Sequence, residues 1–136
     1  MNFDVNYLSI LVSAIAFMII GFLWYGPLFG KPWMEAANMT SESMRGASKG
    51  SMIIVFICAL VSSFVLGVLL KSLLITTVNI ASAIELAIIV WLGFVATTML
   101  HRVLFEKSTL KLWLINASQS LVAFIIGVLI LTLWPW

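Results

Sequence analysis

The charged residues of this chain are arranged so that four long stretches are almost free of charge. Three stretches contain no charged residue: residues 5–30, 50–70 and 112–136. A fourth stretch, residues 72–101, contains only Glu85 and one histidine, His101. A helix that crosses the hydrocarbon core of a bilayer needs about 20 mostly apolar residues. The stretches therefore predict four membrane-spanning helices, near residues 7–25, 51–70, 81–100 and 112–134.

Composition excludes most other classes of protein. Charged residues make up 9% of the 136 residues and apolar residues 63%, whereas an ordinary soluble domain is about 25% charged. The seven lysines and arginines are too few for a nucleic-acid-binding patch. The single cysteine, Cys58, excludes a disulfide framework and a cysteine-based metal site. An integral membrane protein remains.

The apolar stretches lack the strict two-residue alternation that is typical of strands in an outer-membrane barrel. We therefore predict an all-α fold with one membrane domain over residues 1–136, built as an antiparallel bundle of four transmembrane helices. The first helix is expected to be a retained span and not a signal peptide, because the preceding MNFDVNY contains no lysine or arginine.

The distribution of lysine and arginine predicts the orientation of the bundle. Loops 26–50 and 101–111 together hold six of the seven, and the remaining one is Lys71. Lysine and arginine are enriched in the cytoplasmic loops of membrane proteins. Both loops are therefore predicted to be cytoplasmic, with both chain termini outside.

Aromatic residues fall at the predicted ends of the spans, where amphipathic rings favour the headgroup region. The set is Tyr7, Trp24, Tyr25, Trp33, Trp113, Trp134 and Trp136. Trp91 is the exception, because it lies halfway along the third span, and we expect its indole N–H to face a protein partner. In the first loop, PWMEAANM is predicted to form a short surface helix, with Trp33 and Met34 dipping into the membrane.

Glu85 is the one carboxylate inside a predicted span, and ionisable groups at such positions are often functional because placing them there is costly. Helical spacing puts Glu85 on one face with Ile89, Leu92 and Ala96. A transport or proton-coupled role is one interpretation. The other is structural, because a carboxylate so near the interface can reach water or pair with Lys71 across the short loop 72–80.

The fourth span carries two amides, Asn116 and Gln119, and small residues recur along the fourth and second spans at helical spacing. The two small-residue stripes are Asn116, Ser120, Ala123 and Gly127, and Ala59, Ser63 and Gly67. Small residues let helices approach closely, and amides and hydroxyls form hydrogen bonds between helices. Packing is the first explanation for both stripes, and a ligand path that includes Asn116 or Gln119 is the alternative.

A polar cluster follows the third span: His101, Arg102 and Glu106. Arg102 and Glu106 are four residues apart and can form an ion pair on a continued helix. His101 has no second histidine or carboxylate at the spacing of a metal site. The sequence also has no nucleophile–base motif or phosphate-binding loop. We therefore expect neither an enzyme nor a bound cofactor.

Three segments of the chain are distinctive: GFLWYGPLFGKPWM, WLGFVATTMLHRVLFE and LKLWLINASQ. Together they resemble a bacterial family of small four-span membrane proteins that is catalogued as a domain of unknown function, and the resemblance covers essentially the whole chain. It implies four-helix topology and a bacterial cytoplasmic (inner) membrane, and it implies no activity. The residues that it singles out for testing are Trp24, Tyr25, Pro27, Lys31, Trp33, Gly93, Phe105, Glu106 and Asn116.

Three functions remain open at this point. The first is a structural or partner-binding membrane component, and the second is an oligomeric small transporter or channel that uses Glu85. The small multidrug-resistance family is similar in size, but its intramembrane glutamate lies in the first span, whereas Glu85 lies in the third. The third function is lipid binding, with Lys31, Lys107 and Lys111 near anionic headgroups.

The partners expected in every case are the lipid bilayer and other copies of the chain. Four short helices can enclose little more than their own side chains, so a homo-oligomer is predicted, most simply a two-fold dimer formed through the small-residue stripes. Contact with another membrane protein is the alternative.

Overall fold

The computed structural model describes residues 1–45, 48–73 and 79–134. Within those ranges the chain forms seven α-helices, two short π-helical segments and no strand. The helices are α1 (Tyr7–Leu23), α2 (Gly30–Ala36), α3 (Ser41–Arg45), α4 (Lys49–Leu73), α5 (Ile80–Val90), α6 (Thr97–Phe105) and α7 (Leu110–Leu133). The π-helical segment Trp24–Leu28 continues α1, and Trp91–Ala96 joins α5 to α6. Trp136 and most of the predicted loop 72–80 lie outside the described residues.

Four continuous helical segments are long and apolar enough to cross a membrane, which confirms the predicted all-α, four-span bundle. They are Tyr7–Leu28, Lys49–Leu73, Ile80–Phe105 and Leu110–Leu133. The largest departure from the predicted bounds is in the third span, which continues through His101 and Arg102 to Phe105. The predicted loop 101–111 is therefore too long, because a helix can extend past the apolar stretch that marks the hydrocarbon core.

Helix α7 is the central element of the bundle. It packs against α1, α4 and α5, and α1 also packs along α4. Helix α5 makes few contacts with α4. The first, second and fourth spans therefore form a three-helix core, and the third span is attached to one side of it through α7.

The core is densest where α1 begins and where α4 and α7 end, and we call this region the tight end. Its buried apolar side chains are Val5, Ile10, Leu66, Val68, Leu70, Val128 and Leu131, together with Ala83 and Ala87 of α5. Gly67 lies among them, because a Cβ placed there would be within 4 Å of Val5, Ile10 and Leu131. The absence of a side chain at this position lets α4 approach α1 and α7 closely.

The small-residue stripes pack inside one chain. The Ser63 hydroxyl donates to the Ser13 hydroxyl at 3.1 Å, and both serines are fully buried. Ala123 is 3% exposed, and a Cβ at Gly127 would lie 3.0 Å from the Ser13 hydroxyl oxygen. Ser63 and Gly127 therefore pack against α1 within one chain, so these members of the two stripes are not exposed for contact with a second copy.

Polar contacts connect the loops at each end of the bundle. Near the tight end, the Lys71 ammonium lies 3.5 Å from the Asp4 carboxylate, and the Asn2 amide N–H donates to the Ser72 hydroxyl at 2.7 Å. At the opposite end, the Lys111 ammonium lies 3.7 Å from the carboxylate of Glu35 in α2. The first and third loops thus share one side, as an antiparallel four-span bundle requires.

Candidate functional site

The N-terminal half of α4 diverges from the other helices. The buried residues of α4 run only from Ala59 to Leu70, whereas Ile53, Val55 and Ile57 are 60%, 52% and 51% exposed. Because α1 and α7 remain packed against each other, the divergence opens a space between α1, α4 and α7. It is a cavity of about 650 Å³, and we call this region the open end.

Side chains from α1, α2, α4 and α7 surround this cavity, together with two residues of the first π-helical segment. The lining residues are Phe17, Met18, Gly21, Phe22, Tyr25, Gly26, Trp33, Met52, Val55, Cys58, Ala59, Ser62, Gln119, Ser120, Ala123 and Phe124. None of these residues is charged. Phe22 and Val55 are both more than half exposed and lie within spans, so the cavity opens sideways toward the bilayer.

The segment WYGPLFGKPW folds back on itself at the loop end of the cavity. A Cβ at Gly30 would lie 2.8 Å from the Tyr25 carbonyl oxygen, so only glycine allows α2 to begin this close to the first span. The rings of Tyr25 and Trp33 then pack against each other at a tilt of 51°, with centroids 4.7 Å apart. The predicted surface helix is thus present as α2, and the Trp33 ring packs on Tyr25 and lines the cavity.

Two hydrogen bonds attach the end of the first span to α7. The Tyr25 hydroxyl donates to the Asn116 side-chain oxygen at 2.8 Å. The Trp24 indole N–H donates to the Ile115 carbonyl at 3.0 Å. A backbone carbonyl inside a helix keeps a second lone pair for such a donor. Trp24, Tyr25 and Asn116 therefore hold one wall of the cavity in place.

Two further indole groups attach the third span to α7. Trp91 donates to the Ala117 carbonyl at 2.9 Å and to the Ser120 hydroxyl at 3.0 Å, which confirms that its N–H faces protein. Trp113 donates from α7 to the Ala96 carbonyl at 3.0 Å. The Ser120 hydroxyl also donates to the Ala117 carbonyl at 2.8 Å. Of the polar groups in the cavity, those of Ser120 and Tyr25 are thus already paired.

Among the amides and hydroxyls of the cavity lining, two are unpaired. The side-chain amide of Gln119 and the hydroxyl of Ser62 both line the cavity, and neither forms a hydrogen bond with any residue in the described ranges. Gln119 is half-buried, and its amide nitrogen lies 4.0 Å from where a Cβ at Gly21 would be. Gly21 therefore leaves space beside an amide that has donors and an acceptor to offer.

Glu85 lies away from the cavity. Helix α5 buries Ala83 and Ala87 against the bundle, so Glu85 is exposed on the opposite, outward surface together with Ile89. The carboxylate makes no ion pair or hydrogen bond with a described residue. The sequence predicted that Ala96 shares a face with Glu85 and Ile89. This is wrong for Ala96, which is buried, whereas Ile89 is 60% exposed.

The remaining predicted site residues lie at the loop surface. Lys31 and His101 are exposed, and neither lines the cavity. The predicted pair is confirmed: the Arg102 guanidinium donates to the Glu106 carboxylate at 3.0 Å, with both side chains mostly exposed. An exposed pair of this kind contributes little to stability.

Sequence reasoning missed the contribution of α4 to the cavity. Cys58 is exposed and lines the cavity with Met52 and Ser62. The sequence offers little signal for this, because the N-terminal half of α4 is apolar on every face. In a membrane helix, apolar side chains are expected on lipid-facing and protein-facing surfaces alike.

Comparison with known proteins yields one relationship. No curated protein and no solved structure matches the chain significantly. A family model described as "Protein of unknown function (DUF1761)" matches residues 8–132, a range that includes nearly all of the four spans and every residue of the cavity lining. The chain therefore belongs to the DUF1761 family of proteins of unknown function.

Proposed function

We propose that this protein is a non-enzymatic membrane component that binds a small amphipathic molecule from the bilayer. The observation that carries the proposal is the cavity between α1, α4 and α7. Its volume of about 650 Å³ lies within the range of about 300–1,000 Å³ that is typical of small-molecule sites. Such sites are mostly apolar with a few well-placed polar groups, which is also the composition of this lining.

The position of the opening indicates how a ligand would enter. Phe22 on α1 and Val55 on α4 flank the opening and are 59% and 52% exposed on spanning segments. A molecule dissolved in the hydrocarbon can therefore enter sideways without crossing a polar surface. Trp33 lies over the loop end of the cavity, and an indole there is suited to the boundary between hydrocarbon and headgroups.

This geometry favours lipid binding over the other functions that the sequence left open. A transport path through Glu85 would need that carboxylate to face a cavity, and Glu85 lies on the outward surface. Ser63, Gly67 and Gly127 of the small-residue stripes pack within the chain, so these residues offer no surface to a partner. The cavity, in contrast, is a feature of a single copy.

The proposal also includes the orientation of the bundle in the membrane. Six of the seven lysines and arginines lie in the first and third loop regions, which supports a cytoplasmic location for the open end. The family resemblance supports the inner membrane of a bacterium. The binding site would then face the cytoplasmic leaflet.

The test is photolabelling with methyl octadecanoate that carries a diazirine in the middle of its chain, added to phosphatidylcholine vesicles containing the protein. Adducts are mapped by mass spectrometry. Surrounding lipid can label any outward side chain, but Ala123 is 3% exposed and lines the cavity. An adduct on Ala123 therefore reports a molecule inside the cavity.

Two glycine variants make a matched pair for this experiment. An added Cβ meets no atom closer than 4.0 Å at Gly21 and none within 4 Å at Gly93, so both helices should accept leucine. Gly21→Leu fills the cavity and should remove the Ala123 adduct, whereas Gly93→Leu should keep it. An Ala123 adduct of equal yield in both variants, or none in the wild type, would contradict the proposal.

A further inference from the structure

We infer that the ligand is a neutral amphiphile that carries a hydrogen-bonding oxygen deep in the membrane, where the amide of Gln119 binds it. The inference rests on the proposed function, because it concerns the same cavity. It adds the chemical class of the ligand and the residue that selects it. Three features of the cavity indicate this class of ligand: the pairing of its polar groups, their depth in the membrane and the absence of charge in the lining.

Gln119 has unused hydrogen-bonding capacity. Its side chain offers two N–H donors and one carbonyl acceptor, and none of them is bonded to a described residue. Unpaired polar groups in the hydrocarbon region are costly, since no water is present to satisfy them. A ketone or hydroxyl oxygen on a bound ligand would remove this cost. The Ser62 hydroxyl, also unpaired, is available on the α4 wall of the same cavity.

The depth of Gln119 separates two kinds of amphiphile. At a rise of 1.5 Å per residue, Gln119 lies about 14 Å along α7 from its first residue, Leu110, close to the middle of this 24-residue helix. The headgroup and ester groups of a phospholipid stay near the interface, and its acyl chains bring no polar atom to that depth. A ligand with an oxygen in the middle of its apolar body therefore matches the site better than a phospholipid.

The lining also selects against charge. None of the lining residues carries a charged side chain, and an ion without a partner in a low-dielectric site is strongly disfavoured. Aromatic rings provide much of the remaining surface, from Phe17, Phe22 and Phe124. The site therefore fits an uncharged molecule whose apolar body contacts these rings and whose oxygen reaches Gln119.

A competition experiment tests this class directly. Methyl 10-oxooctadecanoate and methyl octadecanoate differ only by a ketone in the middle of the chain, and each is used to compete with the diazirine probe for the Ala123 adduct in wild-type protein. One net hydrogen bond corresponds to a factor of about 5 in affinity. We expect the ketone to compete at an about fivefold lower mole fraction in the membrane.

Two variants assign the effect to Gln119. Gln119→Leu keeps the approximate size of the side chain and should abolish the advantage of the ketone. Ser118→Ala removes a neighbouring hydroxyl that bonds within its own helix, to the Ile115 carbonyl at 3.2 Å, and should keep that advantage. An advantage that persists in Gln119→Leu would overturn the assignment.

The wild-type result distinguishes a failure of the proposed function from a failure of this inference, even if a variant does not fold. Equal competition by both esters would mean that the cavity binds amphiphiles without selecting an oxygen, which overturns the inference and leaves the proposed function standing. If neither ester competes and no Ala123 adduct forms, the proposed function itself fails. Competition that favours the ketone supports both.

Discussion

The tight end and the open end of the bundle are built from the same three helices, yet they pack differently. The inward face of α4 carries Met52 and Val55 at the open end and Ser63 and Gly67 toward the tight end. Small residues let α4 approach α1 and α7 at the tight end, whereas Met52 and Val55 line the cavity and are 36% and 52% exposed. One helix face therefore forms a packed interface at one end of the bundle and a cavity wall at the other.

The largest contrast is expected when leucine is truncated at each end. Leu66 is 2% exposed at the tight end, and Leu23 is 49% exposed near the open end. Leu66→Ala should lower the free energy of unfolding by about 2–5 kcal/mol, because it leaves a cavity in a packed core. Leu23→Ala should change it by no more than about 0.5 kcal/mol. Unfolding in detergent mixtures, followed by tryptophan fluorescence, measures the free energy of unfolding of both variants. Equal losses in the two variants would contradict the difference in packing between the two ends.

The next largest difference in the free energy of unfolding is expected when a glycine at each end is replaced by leucine. A leucine at Gly67 would overlap Val5, Ile10 and Leu131, and such overpacking costs about 1–3 kcal/mol. A leucine at Gly21 enters the cavity and should not reduce the free energy of unfolding. The same unfolding assay compares the two variants. A Gly67→Leu protein as stable as Gly21→Leu would show that the tight end has unfilled space.

The smallest effect is expected where the two ends meet, at the buried bond between Ser13 and Ser63. Hydrogen bonds between membrane helices contribute about 0.6 kcal/mol on average. A double-mutant cycle of Ser13→Ala and Ser63→Ala should therefore give a coupling free energy of about that size. A coupling near zero would mean that close packing alone holds α4 to α1 at this level.

The positions of the four spans could be predicted from the sequence, because the charged residues mark where each span ends. Stretches without charge located four spans, and the need of an indole N–H for a partner placed Trp91 against protein, where it bonds to Ala117 and Ser120. The third span was underestimated, because a helix can continue beyond the hydrocarbon through polar residues such as Arg102.

The site was less predictable, and the reason is physical. Tyr25, Trp33 and Gln119 were candidates, and the structure brings them to one cavity. The α4 wall was missed because lipid and protein interior are both apolar, so hydropathy does not distinguish the two sides of a membrane helix. The same limitation hid the outward orientation of Glu85, which depends on which face of α5 packs against α7.

The most direct test of this account compares two residues of α7 that are almost equally buried. Ala123 is 3% exposed and lines the cavity, whereas Val128 is fully buried in the core of the tight end. With the mid-chain diazirine ester in vesicles, we expect adducts on Ala123 and none on Val128. Labelling of neither residue, or equal labelling of both, would contradict a cavity that opens to the bilayer at one end of the bundle only.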